Sequence, residues 1–128
     1  VNQEIKAAWV AALRSGEFEQ GRGALFGPDD QGNPSYCCLG VLSKLAVDAG
    51  IVEMDPTSRI GNGCHRFGRS GSDGFLGTYS YLPVDVQHWA GVDGDPEVTI
   101  DEKTMYLSQH NDMGATFTQI ADAIEAQP

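Results

Sequence analysis

The chain has 128 residues, of which 41% are hydrophobic, and carries 18 acids against 8 Lys and Arg for a formal net charge of −10. That length fits one domain able to bury a core without staples, and the apolar content excludes general disorder. The charge argues against nucleic acid and anionic membrane surfaces as partners, because both are gripped by a basic face.

No apolar run approaches the about 18 residues that would span a bilayer. The stretch Val1 to Ala12 is amphipathic and carries Glu4, unlike a secretory leader. The three Cys are Cys37, Cys38 and Cys64. An odd count gives no disulfide framework, and a bond between neighbours would close a strained ring. The expectation is reduced thiols in a cytoplasmic protein.

Residues 2 to 15 read as a helix, with Asn2 as its cap, Ile5, Trp9 and Leu13 at helical spacing, and Gly16 as a stop. Phe18 to Phe26 alternates loosely and suggests a short strand. The turn formers from Gly27 to Pro34 then point to a hairpin over residues 22 to 37. Residues 38 to 49 form the expected central helix, with Val41, Leu42, Leu45 and Ala46 on one side and Gly50 beyond its end. The Gly-rich run from 55 to 78 predicts no regular structure except short strands near Phe67 and Phe75. Pro83 can open a short helix that Gly91 ends. Val98-Thr99-Ile100 reads as a small strand, and Met105 to Leu107 leads into a short helix before Asn111-Asp112-Met113-Gly114. Thr116 and Gln119 fit a capping box for a last helix over 117 to 126. The sum is a single α+β domain, with four or five helices, a small antiparallel sheet and a Gly-rich loop.

One local charge anomaly stands out. Arg59, Arg66 and Arg69 lie within Arg59 to Gly71, which holds no acid although the chain is at −10. Gly lets successive backbone N–H groups turn towards an anion, and Arg adds planar charge-assisted hydrogen bonds. Arg22, in Gln20-Gly21-Arg22-Gly23, offers a second such place. This pattern points to a phosphate- or carboxylate-bearing small molecule, with Tyr79, Tyr81 or Trp89 stacking on a base. The spacing is neither a Walker A loop nor a dinucleotide fingerprint. The plainer alternative is a solvated loop whose Arg residues pair with acids elsewhere.

Cys38 at a predicted helix start is a candidate nucleophile, because the helix N-terminus favours thiolate. Its base would be His65, His88 or His110. The run Tyr36-Cys37-Cys38-Leu39-Gly40 resembles the NlpC/P60 peptidases, in which an aromatic-Asp-Cys-Ser-Gly run opens a long helix. That resemblance implies a Cys-His hydrolase with Cys38 as nucleophile, Cys37 in place of the Asp and Leu39 in place of the Ser. The alternative is that both Cys are small core residues. Neither adjacent Cys nor Cys64-His65 has zinc-ligand spacing, so no metal and no cofactor are expected. Asp93-Gly94-Asp95 starts like a calcium loop, and Pro96 ends the likeness. Leu107 to Ile124 has helix-turn-helix spacing, but residues 104 to 128 hold no Lys or Arg, which excludes DNA reading.

Several runs taken together carry a broader resemblance. They are Trp9-Val10-Ala11-Ala12-Leu13-Arg14-Ser15-Gly16, Gln20 to Leu25, Tyr36 to Leu42, Leu82-Pro83 with Trp89-Ala90-Gly91, and Asn111-Asp112-Met113-Gly114 with Phe117, Ile120 and Ala121. They resemble a group of small proteins encoded by tailed phages and prophages, over roughly residues 9 to 124. The resemblance implies a source and a size, not a reaction. With a phage origin the expectation is an accessory protein in the host cytoplasm: a binder of an anionic, nucleotide-like small molecule through Arg59, Arg66, Arg69 and Arg22, by analogy of class with proteins that sequester nucleotide signals of host defence, or an acidic inhibitor of a host protein.

Overall fold

A computed structural model describes residues 2–57 and 63–127. Five helices and three small antiparallel sheets make up one α+β unit. Helix α1 (Gln3–Arg14) is capped as its sequence suggests: the Asn2 side chain accepts from the N–H groups of Glu4 and Ile5, at 3.0 and 3.2 Å. The segment after it differs from expectation. Phe18 to Leu25 forms no strand and contributes a single bridge, from Gln20 to Tyr36. Strand β1 (Phe26–Pro28) starts only at Phe26 and pairs with β2 (Pro34–Tyr36). Between them the Asp29 carboxylate accepts from the N–H groups of Gln31 and Asn33, both at 2.9 Å, which pins the turn.

Helix α2 (Cys38–Asp48) is the centre of the molecule. It packs against α1, the strands β2 and β3 (Glu53–Met54), helix α3 (Val84–Ala90) and helix α4 (Leu107–Asp112). Cys38, Leu39, Gly40, Val41, Leu42 and Ser43 are all buried, and only the last turns reach solvent, where Lys44 pairs with Asp48. Gly40 lets α2 approach the Leu25 backbone. A Cβ built there would lie 1.8 Å from the Leu25 carbonyl oxygen. Strands β3, β4 (Phe67–Gly71) and β5 (Gly74–Thr78) form one sheet in that order, with β4 and β5 where short strands near Phe67 and Phe75 are expected.

Helix α3 ends at Gly91, whose φ of 68° is the left-handed cap that the sequence implies. Strand β6 (Glu97–Ile100) is followed by β7 (Lys103–Tyr106), where a strand is not expected from the sequence. Helix α4 follows at once, and α5 (Phe117–Glu125) begins at the expected Thr116–Gln119 capping box. α5 lies along α1, and Trp9, Leu39, Leu42, Phe67, Leu107 and Ile120 sit in one buried core.

Replacing Gly40 with Ala should lower stability by about 2 kcal/mol or more despite the better helix propensity, because the obstacle is fixed backbone. Urea unfolding of the two proteins measures it, and equal midpoints would contradict the close approach.

Candidate functional site

The N-terminus of α2 has no side-chain cap of its own. Asn111 on α4 takes that part. Its Oδ1 accepts from the Cys38 N–H at 3.2 Å and from Gln20 Nε2 at 3.0 Å, while its Nδ2 donates to the Gly21 carbonyl at 2.8 Å. Gln20 Nε2 also donates to the Ala115 carbonyl at 2.7 Å, and the Asp112 carboxylate accepts from the Gly23 N–H at 2.9 Å. Asn111 is fully buried. One amide therefore joins the Gln20–Gly23 segment, the start of α2 and the α4–α5 turn. Each bond satisfies a group that burial would otherwise orphan.

Arg66 and Arg69, the described members of the arginine-rich run, do not come together as their spacing suggests. Arg66 and Arg69 are three residues apart on one extended segment and so lie on opposite faces of the sheet. Arg66 Nη2 donates to Asp55 at 3.0 Å in a nearly buried pair, and its guanidinium lies 5.2 Å from the Phe75 ring and 5.8 Å from the Tyr79 ring. Burial works to raise the Asp55 carboxyl. The Thr57 amide and hydroxyl and the Arg66 guanidinium outweigh burial and hold it below the usual carboxylate range. Arg69 Nε donates to Asp85 at 2.6 Å, and its Nη2 donates to the Ile51 carbonyl at 3.2 Å. Arg59 lies outside the described residues. Tyr79 serves Arg66 as a cation–π partner, Tyr81 is exposed, and Trp89 packs against the core from α3. These three aromatics do not line a shared cleft with Arg66 and Arg69.

The thiols are placed for packing. Cys38 is sealed from solvent, and its Sγ donates to the Leu107 carbonyl at 3.6 Å. Burial pushes its thiol well above the ordinary range and that of Cys37 up to about 11. The helix N-terminus is present as expected, but desolvation dominates it. No His takes the place of a base beside Cys38. His65 Nδ1 bonds the Asp55 carbonyl at 2.7 Å, His110 Nε2 bonds the Val98 carbonyl at 2.9 Å, and His88 is exposed on α3. Among the described residues, no group of three or more His, Cys, Asp or Glu is arranged to hold a metal ion.

A different set of residues comes together. The β6–β7 hairpin and the α4–α5 turn enclose a cavity of about 260 Å³, lined by Ile100, Lys103, Met105, His110, Gly114 and Gln119 among others. Asp101 is the one acid in its lining. Arg22 reaches the Gly114 side, its Nη2 4.0 Å from where a Gly114 Cβ would stand. Lys6 bonds the Gln127 carbonyl, Arg14 pairs with Asp122 and Glu125, Lys44 with Asp48, Arg66 with Asp55 and Arg69 with Asp85. Arg22 and Lys103 are the cations held by neither an acid nor a carbonyl among the described residues. A carbonyl oxygen only accepts, so the His110 nitrogen bonded to Val98 carries the proton. Nδ1 is then the ring nitrogen left for the cavity.

The sequence pattern of a domain of unknown function, DUF8296, matches residues 1–128. The chain belongs to the DUF8296 family. No curated protein and no solved structure gives a significant match. Within this DUF8296 domain, Arg22, Gly114 and His110 stand in or beside runs that are conspicuous in the sequence, whereas Lys103 stands in none. Its signal is subtler. Val98-Thr99-Ile100 and Thr104-Met105-Tyr106 are two β-prone runs, and Asp101-Glu102 between them is a two-residue turn that fixes where the next Lys must point.

Two outcomes test this arrangement. Asn111→Ala should lose about 3 kcal/mol, since it leaves the Cys38 N–H and the Gly21 carbonyl buried and unpaired. Thermal and urea unfolding measure that loss, and a change below about 1 kcal/mol would remove the amide from its linking position. In native protein at pH 8, iodoacetamide should leave Cys37 and Cys38 unlabelled and reach them only after denaturant, as read by peptide mass. Rapid labelling of Cys38 would restore the nucleophile reading.

Proposed function

We propose that this DUF8296 chain is a ligand-binding protein that holds a small phosphate- or carboxylate-bearing molecule in the cavity between the β6–β7 hairpin and the α4–α5 turn. One observation carries the reading. In a chain at −10, Lys103 lines this hollow without an acid partner among the described residues, and Arg22, which lines a neighbouring hollow with Asp29 and Asp30, brings its Nη2 to 4.0 Å from where a Cβ would stand on Gly114, one of the lining residues. Salt would weaken an exposed cation's hold on an anion, but a concave, partly enclosed site resists that screening. His110 Nδ1 and the Gln119 amide add hydrogen-bonding groups, while Ile100 and Met105 offer an apolar wall. A cavity of this size suits a ligand of mononucleotide size or smaller.

Backbone geometry supports the same place. Asp101 and Glu102, neither of them Gly, hold φ of 52° and 67° in the β6–β7 turn. A two-residue turn with both φ positive matches the strand twist, yet Asn-Gly is the residue pair that adopts it without strain. Strain of this kind tends to persist where it positions a functional side chain, and here the next residue is Lys103. The source in a tailed phage and the setting in a host cytoplasm are part of the proposal and rest on the sequence resemblance. An activity against a nucleotide signal used in host defence is an analogy of class and extends the same reading.

The melting temperature should be followed against inorganic phosphate, citrate, AMP and ADP at low salt. A ligand at about 100 times its Kd stabilises the native state by about 2.7 kcal/mol, a rise of several degrees for a chain of this size. Lys103→Ala and Arg22→Ala should each weaken binding about tenfold, and Asp101→Asn should tighten it severalfold. A flat response to the whole panel, or equal affinity in Lys103→Ala, would overturn the proposal.

A further inference from the structure

The sheet order β3-β4-β5 leaves β5 as an edge, and its hydrogen-bonding pattern can be worked out from the register. The Asp55 N–H donates to the Arg66 carbonyl and the Ser70 N–H donates to Glu53, so the even-numbered residues of this segment face β3. Phe67, Arg69 and Gly71 therefore face β5, where their partners are Thr78, Leu76 and Gly74. Phe75 and Gly77 are left with N–H and carbonyl groups directed away from the sheet. Further along the same edge, the Tyr79 carbonyl already accepts from the Leu25 N–H at 2.7 Å, which confirms the direction and closes the edge there.

Among the described residues, the sequence of this edge carries none of the usual protection. Gly74-Phe75-Leu76-Gly77-Thr78 has no Lys, no Pro and no inward charge. Beside it lies an apolar groove of about 300 Å³, lined by Val52, Phe67, Leu76 and Val84. Leu76, Tyr81 and Val84 are 74%, 70% and 61% exposed, so three large apolar residues stand in solvent around one strand end. We propose that β5 receives an extended segment of another protein as a fourth strand, with alternate apolar side chains in this groove and Lys or Arg at its flanks.

Charge selects that occupant. Asp85 on α3 lines the groove and is paired with Arg69, Asp73 stands in the β4–β5 turn at one end of the strand, and the Glu53 carboxylate is held by Ser70 on the other face of the sheet. A chain at −10 attracts a basic segment and repels a second copy of itself. Main-chain bonds at Phe75 and Gly77 would supply register, and the groove would select side chains. With so short an open edge, the complex is a weak one.

The full chain, labelled with nitrogen-15, should be titrated with the capped peptide Lys-Thr-Val-Thr-Val-Lys. The Phe75 and Gly77 amide signals should move, and their hydrogen exchange should slow by about tenfold at saturation. Leu76→Lys should weaken binding by about tenfold, and Glu in place of both peptide Lys should do the same. Leu76 is exposed, so the melting temperature of the variant should be unchanged and a lost complex would not reflect unfolding. Unmoved Phe75 and Gly77 amides at millimolar peptide would overturn the proposal, as would equal binding of the Glu peptide. A dimer in sedimentation that Leu76→Lys dissolves would give the edge to a second copy and overturn it as well. None of these readouts involves Arg22 or Lys103.

Discussion

The structure depends on one buried amide. Asn111 offers a donor and an acceptor to three backbone segments that are distant in sequence: Gly21, the first N–H of α2 and, through Gln20, the α4–α5 turn. Helix α2 is central and apolar, so it has no polar residue to spare for its own cap, and Cys37 at the cap position makes no such bond. A helix start buried without a partner would cost more than a typical hydrogen bond returns. The amide from α4 removes that cost and, in doing so, fixes α4 against α2. Everything that follows α4, including the cavity beside Gly114, inherits its position from this contact.

Electrostatics then divides the cations into two kinds. In a chain with 18 acids and 8 Lys and Arg, most bases find an acid nearby, and a paired guanidinium has little left to offer a ligand. Arg66 shows this plainly. Its neighbours Asp55, Phe75 and Tyr79 use it to hold β4 and β5 over the β3 end, and it carries out a structural task. Breaking such a pair is costly because it leaves a buried charge. A cation held by neither an acid nor a carbonyl is the rarer object on this background, and Arg22 and Lys103 are the described cations of that kind.

Local signals in the sequence were good guides to local structure. Asn2, Gly91 and the Thr116–Gln119 pair mark helix ends by chemistry confined to a single turn, and all three act as that chemistry requires. The turn formers around Asp29 likewise place the first hairpin. What could not be read were partners separated by many residues. Arg66 meets Asp55 across a strand pairing, Arg69 meets Asp85 across a helix, and neither acid lies in the acid-free run that made the arginines conspicuous. Strand β7 was hidden because Thr104-Met105-Tyr106, β-prone in itself, runs directly into helix α4, so that only its pairing with β6 separates strand from helix start. Cys38 misled for a related reason. A helix N-terminus is a local feature, whereas the burial that raises the thiol comes from α4.

The order of the cavity wall depends on packing between elements. A two-stranded hairpin is barely stable alone, so β6–β7 must borrow its order from α4 and α5, against which it packs. His110 is the fastener: its Nε2 bond to the Val98 carbonyl ties α4 to the middle of β6. The same bond settles which ring nitrogen carries hydrogen and leaves the other for the hollow. Fold and site are thus coupled through a single side chain. The proposed ligand would meet Lys103 on a turn already bent and a ring already oriented, so little conformational freedom would remain to be lost on binding.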